Sequence, residues 1–212
     1  MAKKAETAEA VEILSGNEAI ARGAWEAGIK LAAAYPGTPS TEILEAMADY
    51  EGVYCEWSPN EKVAMEVGIG ASMAGARALV CMKHVGLNVA ADPFFSSSYV
   101  GLEAGLVVIS ADDPGMHSSQ DEQDNRNYAK FARVPLLEPS DSNEAKEFML
   151  AAYELSERFD TPVLFRTTTR TSHSKSMVKM GERKETKPVT EIRRDWNKYL
   201  MMPQNAIIRH RV

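Results

Sequence analysis

The sequence predicts an α/β fold: a doubly wound, mainly parallel sheet with helices on both faces. Segments of helical periodicity alternate with short apolar runs along most of the chain. Those runs are apolar throughout rather than at every second residue, as strands covered on both faces must be. A chain of 212 residues is long enough to bury one such core.

The elements follow in order. Ser15 and Glu18 have capping-box spacing, and Ile20, Ala24 and Ala27 repeat at helical intervals up to Gly28. Residues 30–35 read as a strand, and Pro36-Gly37 turns the chain. Thr38 is expected to cap the next helix, with Pro39 at its first position and Ile43, Leu44 and Met47 on its apolar face. A strand over 53–57 and a helix over 59–76 come next. That helix carries Ala64, Gly68, Gly70, Ala71, Ala74 and Gly75, a small-residue surface that suggests an interface. Apolar runs at 78–82 and 106–111 read as strands flanking a helix around 87–95. A short strand at 134–137, a helix over 141–159 capped by Asp141, and a strand at 161–165 complete the core. Beyond Ser176 the chain is charged and aperiodic. This divides it into a flexible start (1–10), one folded domain (11–178) and a linker or partner-docking arm (179–212). The arm's basic cluster of Arg193, Arg194, Arg209, His210 and Arg211 is read as solvated or docked on an acidic partner.

Composition excludes several functions. A net charge of −6 argues against nucleic-acid binding. No apolar run approaches a membrane span, and the first residues lack a signal peptide's apolar core, so a cytoplasmic location is expected. Cys55 and Cys81 lie in strand-like runs and read as buried thiols. The four histidines lack metal-ligand spacing, and no metal site is expected on this chain. Dinucleotide, P-loop and nucleophile-elbow signatures are missing.

Ligands of an open parallel sheet bind beyond the carboxyl ends of its strands. Three polar segments leave strands there. One is the turn with Pro36, Gly37 and Thr38, which serves either as a capped turn or as a ligand cradle. Another is Ser58-Pro59-Asn60-Glu61, where Glu61 either compensates a helix dipole or does chemistry. The third is the long loop 112–123. His84 and His117 both follow strands and can line one pocket.

The segments AAAYPGTPSTEI, EWSPNEKVAMEVGIGASMAGARALVCMKHVGLNVAADP and ADDPGMHSSQDEQDNR resemble the amino-terminal domain of 2-oxoacid:ferredoxin oxidoreductases, in particular the α subunits of the indolepyruvate branch. The resemblance spans roughly residues 11–178. It implies a thiamine-diphosphate-binding fold whose pyrimidine domain is this chain. In that setting a carboxylate bonded to N1′ of the aminopyrimidine promotes loss of the C2 proton. By resemblance Glu61 takes this catalytic role, with Glu66 as competitor. A partly buried place suits a carboxyl that must share a proton. Thr38, with Pro36 and Gly37, matches the family's Tyr-Pro-x-Thr-Pro-Ser turn at the active centre. Relatives acting on pyruvate carry an arginine after the fifth strand. Ser110-Ala111-Asp112-Asp113 has none, which shifts the expected substrate to arylpyruvates, with His84 and His117 as substrate contacts.

The chain has no Gly-Asp-Gly for diphosphate and Mg²⁺ and no cysteine run for iron–sulfur clusters, so both are expected on other domains or subunits. The implied activity is oxidative decarboxylation of arylpyruvates to aryl-acetyl-CoA. It would run in a homo- or hetero-oligomer with a diphosphate-binding partner and ferredoxin. Two alternatives stay open: the pyrimidine subunit of a split non-oxidative 2-oxoacid decarboxylase, and a non-catalytic regulatory partner.

Overall fold

The structure, a computed structural model, describes residues 10–186 and 194–210. The elements in chain order are β1 (Val11–Ser15), α1 (Gly16–Glu26), β2 (Leu31–Ala34), α2 (Thr41–Ala48), β3 (Tyr54–Trp57) and α3 (Glu61–Met73). Next come β4 (Ala78–Lys83), α4 (His84–Val89), α5 (Ala91–Val100), β5 (Leu106–Asp112), α6 (Arg126–Ala132) and β6 (Leu136–Leu137). The chain continues through α7 (Ser142–Phe159), β7 (Val163–Thr168), α8 (Thr169–His173), β8 (Lys175–Lys179), α9 (Trp196–Tyr199) and α10 (Pro203–Arg209). Six strands form one parallel sheet in the order β3-β2-β4-β5-β7-β6. Every residue of β5 is buried, as a central strand covered on both faces requires.

Helices cover both faces. Ile20 of α1, Met47 of α2 and Met149 and Tyr153 of α7 pack against Leu79, Val107 and Phe165 on one side. Met65 of α3, Leu87 of α4, Phe94 of α5 and Ala129 of α6 pack against Val80, Val108 and Leu164 on the other. The doubly wound parallel sheet is the predicted fold. Among the described residues no helix is long and apolar enough to cross a membrane.

The caps explain several boundaries. Ser15 and Glu18 form a reciprocal capping box on α1, and Asp141 caps α7 by accepting from Glu144 N. Asn60 caps α3 by accepting from Val63 N at 3.0 Å, which makes Glu61 the first residue of that helix.

Four expectations need correction. Thr38 does not cap α2. The turn closes on itself, with Ser40 N and Oγ both donating to Gly37 O and Gly37 N donating to Thr41 Oγ1, so α2 begins only at Thr41. The helix expected around 87–95 is two helices, α4 and α5, that meet at Ala90. The strand expected to end at Phe165 runs on to Thr168 and carries the buried Arg166 and Thr167. The pair β1–β8 was not expected. These strands form an antiparallel ribbon, with Ile13 opposite Met177, that ties the two ends of the folded part together. Of the small residues, Ala64 and Gly68 pack toward the sheet, where a Cβ on Gly68 would fall 2.3 Å from Val80 Cγ2, whereas Gly70 faces open space and Ala74 is exposed.

The segment after β8 lies against the amino ends of the strands. Arg183 donates to Ile29 O and Gly52 O, and Thr186 Oγ1 donates to Gly28 O. Lys198 Nζ donates to Leu102 O, and Arg209 Nε donates to Tyr99 O. Residues 1–9, Arg193 and Arg211 lie outside the described residues.

Candidate functional site

Strand order sets the site's location. From β2 the chain passes to β3 on one side and then to β4 on the other, so a crevice opens between the carboxyl ends of β2 and β4. The register places Ala34 beside both Trp57 and Cys81, and Lys83 beside Ala111. Turn 36–40, the start of α3, the start of α4 and loop 113–125 therefore share one edge of the sheet.

Glu61 opens α3 and is 9% exposed, whereas Glu66 is exposed, so burial separates the two candidates. No hydrogen bond or ion pair among the described residues reaches the Glu61 carboxylate. The carboxylate packs on Gly86 of α4. A Cβ there would stand 2.6 Å from Glu61 Oε1 and 2.7 Å from its Cγ, so only glycine leaves this space. Its oxygens are not among the fully buried unpartnered atoms, so the carboxylate stays open at the crevice to a bonding group from outside this chain.

Of the turn residues, Pro36 and Thr38 are exposed and Gly37 is half-buried. The stem of Lys83, at the end of β4, lies across Gly37, with its Cγ and Cδ each 3.0 Å from the place a Cβ would take. Lys83 Nζ then reaches Ser118 O at 3.4 Å, which links the turn to loop 113–125.

His84 is fully buried. Its Nε2 bonds Asp121 O and Oδ1 at 3.1 and 3.3 Å, and its Nδ1 has no partner among the described residues. Its carbonyl accepts from Asn125 Nδ2 and Gln123 Nε2. His84 thus anchors the loop from inside. His117 sits at the loop's exposed tip near Gly115 and is not brought against Glu61 or Thr38 by any described contact.

Two adjacent carboxylates close β5. Asp112 is fully buried, accepts from Arg166 Nε at 2.7 Å and from Asn125 N at 3.0 Å, and has its carboxyl pushed up by burial against those bonds. Asp113 is also desolvated, yet bonds from Ser118 N, Thr169 Oγ1 and Ser119 Oγ hold its carboxyl well below the usual range. Arg166 further meets Glu138, so its charge is spent on loop anchoring. Sequence reasoning missed Arg166, Gly86 and Lys83. Lys83 and Arg166 left the same weak signal, a charge directly after an apolar run; Gly86 left none.

Among the described residues no cluster of three or more His, Cys, Asp or Glu stands ready for a metal ion. Cys81 is buried and Cys55 half-buried; burial pushes both thiols up, which makes them poor nucleophiles. The residues present suit an aminopyrimidine on two observations: the Glu61 carboxylate has no protein partner, and Gly86 is what lets that carboxylate sit at the crevice.

Comparison with known proteins agrees. Residues 22–211 match the family model described as pyruvate flavodoxin/ferredoxin oxidoreductase, thiamine diphosphate-binding. The chain is 51% identical over 201 residues to indolepyruvate oxidoreductase subunit IorA of Methanothermobacter thermautotrophicus, covering 93% of this chain and 32% of that one. It is 58% identical to the subunit of the same name from Thermococcus kodakarensis, over 80% of this chain and 27% of that one. A 2-oxoglutarate synthase subunit KorA of Archaeoglobus fulgidus is 30% identical, over 79% of this chain and 51% of that one. The chain therefore spans about a third of the length of the IorA subunits it matches. In fold it resembles a solved 2-oxoglutarate:ferredoxin oxidoreductase from Magnetococcus marinus, with a TM-score of 0.72 at 18% identity over 84% of this chain and 32% of that one. A parallel sheet of this order, with a partnerless buried glutamate at its crevice and a family match over nearly its whole length, belongs to the thiamine-diphosphate-binding domain family of the pyruvate flavodoxin/ferredoxin oxidoreductases.

Proposed function

We propose that this chain is the pyrimidine-binding part of a 2-oxoacid ferredoxin oxidoreductase that oxidatively decarboxylates arylpyruvates of the indolepyruvate type to aryl-acetyl-CoA. The observation that carries the reading is Glu61, buried at the sheet's crevice with no protein partner. The identity to indolepyruvate oxidoreductase subunits supports the substrate class.

Thiamine diphosphate, when bound, supplies a carbon nucleophile for the keto carbon of the substrate. The residues of this chain bind and position. Glu61 shares a proton with N1′ of the aminopyrimidine, and Gly86 leaves room beside that carboxyl. Thr38, Pro36 and Gly37 wall the crevice opposite. His84 and the Asp112–Arg166 pair hold loop 113–125 across it. His117, at the loop tip, remains a candidate substrate contact. The diphosphate and Mg²⁺ are assigned to a diphosphate-binding domain or subunit, the iron–sulfur clusters and ferredoxin to the same complex, and the assembly to the cytoplasm.

The test is reconstitution of the full-length subunit with its partners. Glu61→Gln is expected to lower kcat by roughly 10²–10⁴-fold, the range of a lost acid–base group, with the folded content unchanged. Near-wild-type turnover by this variant would sink the assignment. An aldehyde product without reduction of an electron acceptor would replace the oxidative reading with the non-oxidative one.

A further inference from the structure

We infer that Lys83 holds the substrate carboxylate, an inference that rests on the 2-oxo acid reading above. A 2-oxo acid brings a carboxylate directly beside its reacting carbonyl, and a partly desolvated carboxylate needs a cation or several donors to meet it. The cations near the carboxyl edge can be taken one at a time. Arg166 is buried on Asp112 and Glu138. Lys62 pairs with Asp92 at 3.2 Å, and Arg126 with Asp124 at 2.7 Å. Arg170 is exposed and forms no ion pair, but it follows β7, two strands away from β4 and so outside the crevice.

Lys83 differs from all of these. It is the last residue of β4, on the wall of the crevice itself. It is half-buried, and no carboxylate among the described residues lies within ion-pair distance of it. The neighbouring Asp112 and Asp113 are saturated by their own bonds and leave it uncompensated. Gly37 supports its stem and Ser118 O takes one bond at 3.4 Å, so donors remain on an ammonium already held in place. Gly86, which carries the Glu61 carboxylate, is three residues further along the same turn. One short segment thus carries both this cation and the glycine on which the proton-handling glutamate packs, and Lys83 is a specificity-determining residue for an anionic substrate.

The experiment uses the reconstituted complex with indolepyruvate and a redox dye. Lys83→Met is expected to raise KM about 10–100-fold, as expected for a lost charged hydrogen bond, with kcat held within about threefold. Affinity for thiamine diphosphate should stay at the wild-type value. Lys83→Arg should keep KM within about fivefold of wild type, since it keeps the charge. Arg170→Met serves as a control and should behave as wild type. The inference fails if Lys83→Met leaves KM within twofold of wild type, or if Lys83→Arg is as impaired as Lys83→Met. Should Lys83→Met lose thiamine diphosphate binding through misfolding, Gly37→Ala decides. Its new Cβ displaces the Lys83 stem, and a KM unchanged within about 1.5-fold overturns the inference. A wild-type complex inert toward every arylpyruvate is a different outcome: it removes the functional reading, and this inference with it.

Discussion

Two buried glutamates show how differently the ends of this sheet are built. Glu26, in the last turn of α1 near the amino ends of the strands, is 2% exposed. It meets Arg22 at 2.8 Å, Lys146 at 2.9 Å and Gly181 N at 2.6 Å. Glu61, at the carboxyl edge, is 9% exposed and has no hydrogen-bond or ion-pair partner among the described residues. Burial alone does not distinguish a structural carboxylate from a functional one; its partners do. The amino edge is closed with saturated ion pairs and a returning chain segment. The carboxyl edge keeps an uncompensated carboxylate, an unpaired lysine and the exposed rings of Tyr35 and Trp57.

The same substitution at both positions breaks or confirms the contrast. Glu61→Gln should cost the large activity factor given above while leaving the denaturation midpoint unchanged or slightly raised. Glu26→Gln should do the reverse. It leaves the partly buried Arg22 and the buried Lys146 without their counter-charge, a loss of about 3 kcal/mol in the free energy of unfolding measured by urea titration. Turnover by the surviving folded fraction should be unaltered. If both variants lose stability alike, the partner argument is wrong.

Gly86→Ala sharpens the functional half. The new methyl must displace the Glu61 carboxylate, because the two would stand only 2.6 Å apart. We expect thiamine diphosphate affinity to fall roughly 10–100-fold, the equivalent of the 1–3 kcal/mol that overpacking costs, as read by calorimetric titration. A smaller loss would mean that Glu61 has room to move aside.

How far the sequence carried can be judged residue by residue. Alternation and capping were local signals, so the sheet, α1 and α7 were legible, and so was the place of Glu61 in the first turn of a helix; its proposed role came from the resemblance and not from that local pattern. The ribbon β1–β8 was not, because its strands are half-exposed and pair across the whole length of the domain. The Thr38 cap failed because Gly37 O captured Ser40 first, a competition between turn and helix that pattern alone cannot rank. Arg166 and Gly86 acquire meaning only from residues distant in sequence, Asp112 and Glu61 respectively, so no local motif could reveal them. Burial of His84 likewise depends on loop 113–125 folding over it.

At the amino edge, Arg209→Leu tests whether the terminal helix contributes to the seal. Arg209 bonds Asp160 Oδ2 at 2.9 Å and Tyr99 O at 2.8 Å. The pair is partly exposed, so the expected loss is about 1 kcal/mol in unfolding free energy. Turnover should not change; a loss of activity would show that the amino edge communicates with the site.

The smallest effect is a pH dependence. Glu157 lies at the amino edge, bonded to Arg77 Nε at 2.6 Å and to Gly105 N at 3.1 Å. Burial alone would raise its carboxyl, but the Arg77 guanidinium outweighs it, so the folded value lies below the ordinary 4.5. A depressed folded value means that the unfolded chain binds the proton more tightly. The group's contribution is therefore complete above 4.5 and is lost as pH falls through the folded value. Glu157→Gln should accordingly destabilise by no more than about 1 kcal/mol at pH 7, because the pair is partly exposed. The gap between variant and wild type should close as the pH is lowered below 4.5. Urea titrations at pH 7, 5 and 3 would read it. A gap that persists at pH 3, with the wild-type carboxyl protonated, would show that the ion pair with Arg77 is not its source.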